Sequence, residues 1–176
     1  TGGEEAMFEA IKGYDCALAR IKACEKALEY GVQWLFMVDS DTVPHQFALS
    51  DMLSHDIDVC LGYYQWKNRK QGETCLWKKG GWGERYTARE LHALARQGTS
   101  LVAVQGGGMG CSLIKAGLFQ KLPYPWFDWV HYPDANRGML SEDLFFCERL
   151  KAAGIPAYVD TRVSCGHMFR RIELAG

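Results

Sequence analysis

Trp34-Leu35-Phe36-Met37-Val38-Asp39-Ser40-Asp41 is a run of five apolar residues that stops abruptly in two carboxylates one residue apart. The apolar part has the length and composition of a strand buried on both faces. In an open α/β sheet, ligands bind beyond the carboxyl ends of the strands, which is where Asp39 and Asp41 fall. Two carboxylates at this spacing can face one oxygen-rich ligand. A hard cation such as Mn2+ or Mg2+ is commonly held by one or two carboxylates together with substrate phosphates. The plainer reading is that Asp39 caps the turn and Asp41 is solvated.

Upstream of this strand, Ala6, Ala10, Ala17, Ile21, Ala27 and Leu28 recur at helical spacing. They predict a long helix over Glu4 to Tyr30, broken near Gly13 and stopped at Gly31. Downstream, Phe47 to Ser54 reads as a short helix and Ile57 to Tyr64 as a second strand. Thr87 to Gln97 reads as a helix with Thr87 as N-cap and Glu90 closing a capping box. Leu101 to Gln105 and Cys111 to Ile114 are strand-like on either side of glycines, and Ser141 opens a helix running to Ala153 before Gly154. Pro156 to Asp160 is the last strand. Buried strands alternating with helices predict an α/β layer fold, with a mostly parallel sheet flanked by helices in a single domain.

Length and composition agree with one domain: 176 residues, 48% apolar, are enough for one substantial core. A formal charge of -1 creates no global field for a polyanion, so nucleic acid is not favoured as a partner. The seven cysteines are scattered, odd in number and never spaced as CxxC, which fits neither a disulfide framework nor a zinc ribbon. They read as buried thiols of a cytoplasmic, reducing compartment. No apolar run approaches the length of a membrane span, which predicts a soluble chain.

Three further features carry potential chemistry. Gly106-Gly107-Gly108-Met109-Gly110 is either a packing device or a place where backbone approaches a bulky substrate. It matches neither GxGxxG opening a helix nor GxxxxGK[ST], so dinucleotide and P-loop readings lose support. Glu142 and Asp143 lie in the first turn of a helix, where they are either dipole partners or a rigid platform for a general base. His167, after the last strand, is a structural residue or a ligand completing a site begun by Asp41. The segment from Tyr63 to Tyr86 interleaves Tyr63, Tyr64, Trp66, Trp77, Trp82 and Tyr86 with Lys67, Arg69, Lys70, Lys78, Lys79 and Arg85. It reads as a hairpin with its own small core or as a stacking surface for an acceptor, with Trp66 and Trp82 the rings singled out. Phe169-Arg170-Arg171 could add positive charge near a diphosphate.

Taken in order, WLFMVDSDTVP, GGGMGCSLIKAGLF, PYPWF, SEDLFFCERLKAAGIPAYVD and the closing CGH resemble the GT-A superfamily of glycosyltransferases, especially family 2-like members of bacteria and phages. The resemblance implies a nucleotide-sugar donor, a divalent cation (Mn2+ or Mg2+), and a glycan, lipid-linked or other hydroxyl acceptor. It implies that Asp39-Ser40-Asp41 is the DxD motif, with Asp41 as the main metal ligand and Asp39 near the metal and the donor ribose. It implies that Gly106, Gly107 and Gly108 lie beside the donor sugar, that Glu142-Asp143 is the xED motif with Asp143 as base, and that His167 is a metal ligand. Arg20 resembles the donor-side arginine of the family, although Ile21 stands where Asn is usual. Family members open with a strand and loop for the nucleotide base, which this sequence does not show before Thr1. A non-catalytic relative that binds nucleotide-sugar or glycan, and a phage enzyme that glycosylates modified DNA bases, are the alternatives. A two-metal phosphoesterase would need more ligands than these.

Overall fold

The computed structural model describes residues 6–66, 72–131 and 138–168. Its strands in chain order are β1 Trp34–Val38, β2 Thr42–Val43, β3 Val59–Tyr63, β4 Glu73–Lys78, β5 Arg85–Thr87, β6 Leu101–Gly107, β7 Cys111–Lys115, β8 Val130–His131, β9 Met139–Leu140, β10 Ala157–Ser164 and β11 Gly166–His167. The helices are α1 Cys16–Glu29, α2 Ala48–Leu53, α3 Ala88–Arg96 and α4 Glu142–Ala152, with a 3-10 turn at Ala116–Gln120. The main sheet has seven strands in the order β1-β7-β3-β10-β6-β4-β5.

The α/β expectation holds, but the mostly parallel sheet does not: β3 and β10 run parallel, and the other neighbours in this sheet are antiparallel. β1 and β3 do point the same way, as their crossover through α2 requires. Between them, however, lies β7, antiparallel to both. Apolar periodicity reports burial, not direction. β6 and β7, separated only by residues 108–110, run in the same direction on either side of the β3–β10 pair, each antiparallel to it.

Alternation along the strands divides the core into two layers. Val59, Leu61 and Tyr63 of β3 and Val159 of β10 join Ile21 and Cys24 of α1, Leu91 of α3 and Phe146 and Leu150 of α4 on one face. Cys60, Leu113, Val163 and Cys165 face Ala48 and Met52 of α2 on the other. Phe146 stacks on Phe127, with centroids 4.6 Å apart and planes 18° from parallel, which fixes α4 on its face. β1 lies at the sheet edge and ends in an exposed Val38, so it is less covered than its composition predicts.

The first helix is shorter than expected. Gly13 takes φ +84°, and Asp15 starts α1 afresh by accepting the Leu18 N–H at 3.1 Å. Residues 6–12 are not helical, and Phe8 is 95% exposed, so the apolar residues described there have no core to face. Glu4 lies outside the described residues. Gly31, at φ +65°, follows α1 as expected. The capping box of α3 is present: Thr87 Oγ1 accepts from Glu90 N–H, and Glu90 Oε2 accepts from Thr87 N–H. Ser141 occupies the N-cap position of α4, but its hydroxyl makes no capping bond. All seven cysteines are free thiols, and all but Cys16 are buried. Among the described residues no helix is long and apolar enough to cross a membrane.

The glycine run owes much to packing. A Cβ on Gly107 would meet Leu76 Cδ2 at 2.4 Å and the Cys75 carbonyl oxygen at 3.2 Å, whereas one on Gly117 would meet nothing within 4 Å. Gly107→Ala is therefore expected to cost about 1–3 kcal/mol in urea unfolding, and Gly117→Ala less than about 0.5 kcal/mol. Equal effects would contradict the close approach of β4 to β6.

Candidate functional site

β1 delivers Asp39 and Asp41 to a tight turn in which Asp39 N–H donates to Gly110 O and Thr42 N–H donates to Asp39 O, each at 2.9 Å. The turn continues into β2, which pairs antiparallel with β11 so that His167 stands opposite Thr42. Met168 N–H closes the ladder by donating to Asp41 O at 2.7 Å. This short ladder brings His167 Nε2 to 3.3 Å from Asp41 Oδ2. His167 Nδ1 faces the Gln65 carbonyl oxygen at 3.2 Å. That oxygen can only accept, so a proton on Nδ1 would donate to it, and in that neutral tautomer Nε2, on the Asp41 side, would be the ligating nitrogen. The Tyr64 ring packs on the imidazole at 4.6 Å.

Behind this pair lies a charge cluster centred on Arg20, whose side chain is only 7% exposed. Its two terminal nitrogens donate to the two Asp39 oxygens at 3.0 Å each, a bidentate pair. Nη2 is also 3.1 Å from Asp143 Oδ1, and Nε is 3.5 Å from Glu142 Oε1. Burial works against the guanidinium charge, but Asp143 and Asp39 more than offset it and hold Arg20 firmly protonated. One cation thus shares three carboxylates from the end of β1 and the start of α4.

Asp143 is the perturbed member. Burial pushes its carboxyl up to about 7; Arg20 opposes this, while Glu142 and Asp39 add to it and the Met109 N–H bond works against it. Its Oδ1 is buried and accepts no well-aligned hydrogen bond. A carboxylate with that proton affinity can remove a proton at neutral pH and release it again.

Asp41, His167, Asp143, Ser141, Tyr64 and Trp66 are among the residues around one cavity of about 300 Å3. Of the three glycines, Gly108 lines it. Gly106 and Gly107 lie within β6, where added Cβ atoms would strike Cys147, Trp82 and Leu76. A Cβ on Gly108 would lie 2.3 Å from the Tyr64 hydroxyl. Tyr64, which sequence reasoning counted only as one ring of an aromatic segment, therefore links the glycine run to the histidine. Its proximity to both could not be read from spacing.

The aromatic segment divides by position. Trp77 is buried, and Trp66 is 41% exposed at the cavity. Trp82 stands one ring further back, its edge against Trp77 and its Nε1–H donating to Glu148 Oε1 at 2.7 Å. Lys67, Arg69, Lys70, Phe169, Arg170 and Arg171 lie outside the described residues. Burial pushes the nearby Cys75 and Cys147 thiols up to about 12, which makes them poor nucleophiles.

The chain matches no known protein family and no curated protein. Among solved structures it is similar to A197 from STIV, at 23% sequence identity over 88% of this chain and 68% of that chain, with a TM-score of 0.57. At that identity the likeness is one of fold alone.

The Asp143 environment has a measurable consequence. Its carboxyl is held to about 7 in the fold, against 3.8 for an ordinary aspartate. Between those values the unfolded chain binds fewer protons than the folded one, so stability from this group falls as pH rises and is lost above about 7. Asp143→Asn is expected to raise Tm above pH 7 by roughly 2–4 °C, with the gain shrinking towards pH 4. Arg20→Met leaves the carboxylates without their cation and should cost about 3–5 kcal/mol. Calorimetric scans from pH 4 to 9 check both, and a pH-independent Asp143→Asn effect would contradict the assignment.

Proposed function

We propose that this chain is a metal-dependent glycosyltransferase with a GT-A-like catalytic core, transferring a sugar from a nucleotide-sugar to an acceptor hydroxyl with inversion. The observation that carries this reading is the convergence on one cavity of Asp41 and His167, 3.3 Å apart, with Asp143.

The donor set fits a hard divalent ion. Asp41 and His167 Nε2 would hold it, with the histidine oriented by Gln65 O. Among the described residues no group of three or more His, Cys, Asp or Glu is arranged to hold a metal. Mn2+ or Mg2+ held by Asp41 and His167 would take its remaining ligands from phosphate and water. Asp39 contributes less directly, since both its oxygens accept from Arg20. When bound, the ion supplies Lewis-acid neutralisation of the departing diphosphate.

The chain's own groups do the rest. Asp143 accepts the proton of the acceptor hydroxyl as its oxygen forms a bond to the anomeric carbon. The bond from that carbon to the nucleotide diphosphate breaks, and the leaving group keeps the electron pair. Asp143, at about 7, then returns the proton to solvent. Arg20 is a positioning residue that holds Asp39 and aligns Asp143 and Glu142. Asp39, Asp41, Glu142 and Asp143 outnumber Arg20, so a diphosphate meets net negative charge and its affinity should depend on the divalent ion.

Titration calorimetry with a panel of nucleotide-sugars, with and without Mn2+, tests this. At least one donor should bind in an Mn2+-dependent manner, and Asp41→Ala should weaken it roughly tenfold or more. Asp143→Asn should keep donor binding while kcat falls about 10²–10⁴-fold. In the wild type, kcat/KM should rise with unit slope to a plateau above about pH 7. Metal-independent donor binding, or full activity of Asp143→Asn, would contradict the reading.

A further inference from the structure

His167 reaches the site on a two-residue ladder, which fixes its backbone but leaves its ring to be placed by other contacts. A ligating imidazole depends on neighbours that hold its orientation. Here they come from the segment that follows β3. Gln65 presents its carbonyl oxygen to Nδ1 at 3.2 Å, and the Tyr64 ring packs against the imidazole with centroids 4.6 Å apart and planes 53° from parallel.

That segment is itself tied down. Cys75 N–H donates to Tyr64 O at 3.1 Å, Trp66 N–H donates to Glu73 O at 3.0 Å, and Gln65 bridges to Thr74. The main chain around Tyr64 is thus pinned to β4, and the ring can move only about its own side-chain torsions. The glycine run limits those torsions from the other side. A Cβ on Gly110 would stand 2.9 Å from Tyr64 Cε1 and 3.0 Å from the hydroxyl oxygen. One on Gly108 would stand 2.3 Å from the hydroxyl oxygen and 3.2 Å from Cζ. Tyr64 therefore lies against bare backbone at two glycines, with His167 at its other side.

Gly108 does not take a left-handed conformation, so the conflict of alanine there is with the Tyr64 hydroxyl and not with the backbone. Its N–H donates to Cys75 O at 3.1 Å, which holds it close to the segment that anchors Tyr64. A phenol is rigid, so a methyl group at Gly108 has to turn the whole ring. Without the hydroxyl, the remaining contacts of 3.2 Å to Cζ and 3.3 Å to Cys75 Cβ need only a small adjustment.

We propose that Tyr64 is the positioning residue that holds His167 as a metal ligand, and that Gly108 is bare so that the Tyr64 ring can seat against the imidazole. This rests on the metal-dependent reading above and adds the residue that orients its nitrogen ligand. It gives Gly108 a task apart from any contact with a donor.

The test uses the full chain and Mn2+ alone. Free Mn2+ is counted by electron paramagnetic resonance, and the Tm of each variant is recorded. Tyr64→Leu should weaken Mn2+ binding about tenfold or more, whereas Tyr64→Phe, which keeps the ring, should bind close to wild type. Gly108→Ala should weaken binding by a similar factor, and adding Tyr64→Phe to that chain should restore most of it. A merely structural tyrosine would lower Tm and leave the Mn2+ affinity of the folded protein where it was. Wild-type affinity in folded Tyr64→Leu or in Gly108→Ala, or a Gly108→Ala loss that Tyr64→Phe does not relieve, overturns the inference. If Tyr64→Leu does not fold, the Gly108→Ala pair decides alone. Wild-type protein that binds no Mn2+, or binds it equally well as His167→Ala, sinks the reading beneath instead.

Discussion

The Arg20 guanidinium, buried between the end of β1 and the start of α4, is the interaction on which the site depends. It gives Asp39 two hydrogen bonds of 3.0 Å and approaches Asp143 and Glu142 within 3.5 Å. Without it, Asp39, Glu142 and Asp143 would repel one another, the last two in a poorly solvated place. Cation and carboxylates come from α1, the β1 turn and α4, so satisfying one charge also fixes the relative placement of three elements. The energy of that arrangement is not spent on stability alone. Asp143 is buried within the cluster, and burial, with Glu142 and Asp39 adding to it against Arg20, raises its proton affinity into the neutral range. In the proposed reaction this is the property a general base requires. Functional sites commonly hold groups that the fold would be more stable without.

A second constraint works from the other end of the chain. The two-residue ladder between β2 and β11 is too short to matter for the core, yet it sets His167 against Asp41. Tyr64 packs on the imidazole ring, and the Gln65 carbonyl oxygen lies 3.2 Å from Nδ1. The adjacent glycines make room for this arrangement: side chains at Gly108 and Gly110 would collide with Tyr64. The glycine run, the tyrosine and the histidine form one packing unit, which is why a backbone feature and a histidine about a third of the chain apart in sequence meet at one cavity.

Much of this was legible in the sequence, and the failures have physical reasons. The strand ending in Asp39 and Asp41, the capping box of α3 and the acidic opening of α4 are local patterns, governed by burial period and helix-end hydrogen bonding. The partnership of Arg20 with Asp39, Glu142 and Asp143 is tertiary. The resemblance pointed to Arg20 as a donor-side residue, whereas in the fold its nitrogens face these carboxylates. Strand direction was misread because an apolar run looks the same whichever way it points, so β7 between β1 and β3 was invisible. The helix over Glu4 to Tyr30 was overextended because its early apolar residues kept the period with nothing to pack against. Trp82, singled out with Trp66, proved to be an inner support anchored to Glu148, and only packing could separate the two rings.

The central claim is that Asp41 and His167 share one divalent ion. Electron spin-echo envelope modulation of Mn2+ bound to the full chain tests it most directly, since imidazole nitrogen coupled to the metal leaves a distinctive modulation. The account predicts nitrogen modulation in the wild-type protein, its loss in His167→Ala, and weakened Mn2+ binding in Asp41→Ala. Mn2+ showing only water and carboxylate ligands, or nitrogen modulation that survives His167→Ala, would contradict it.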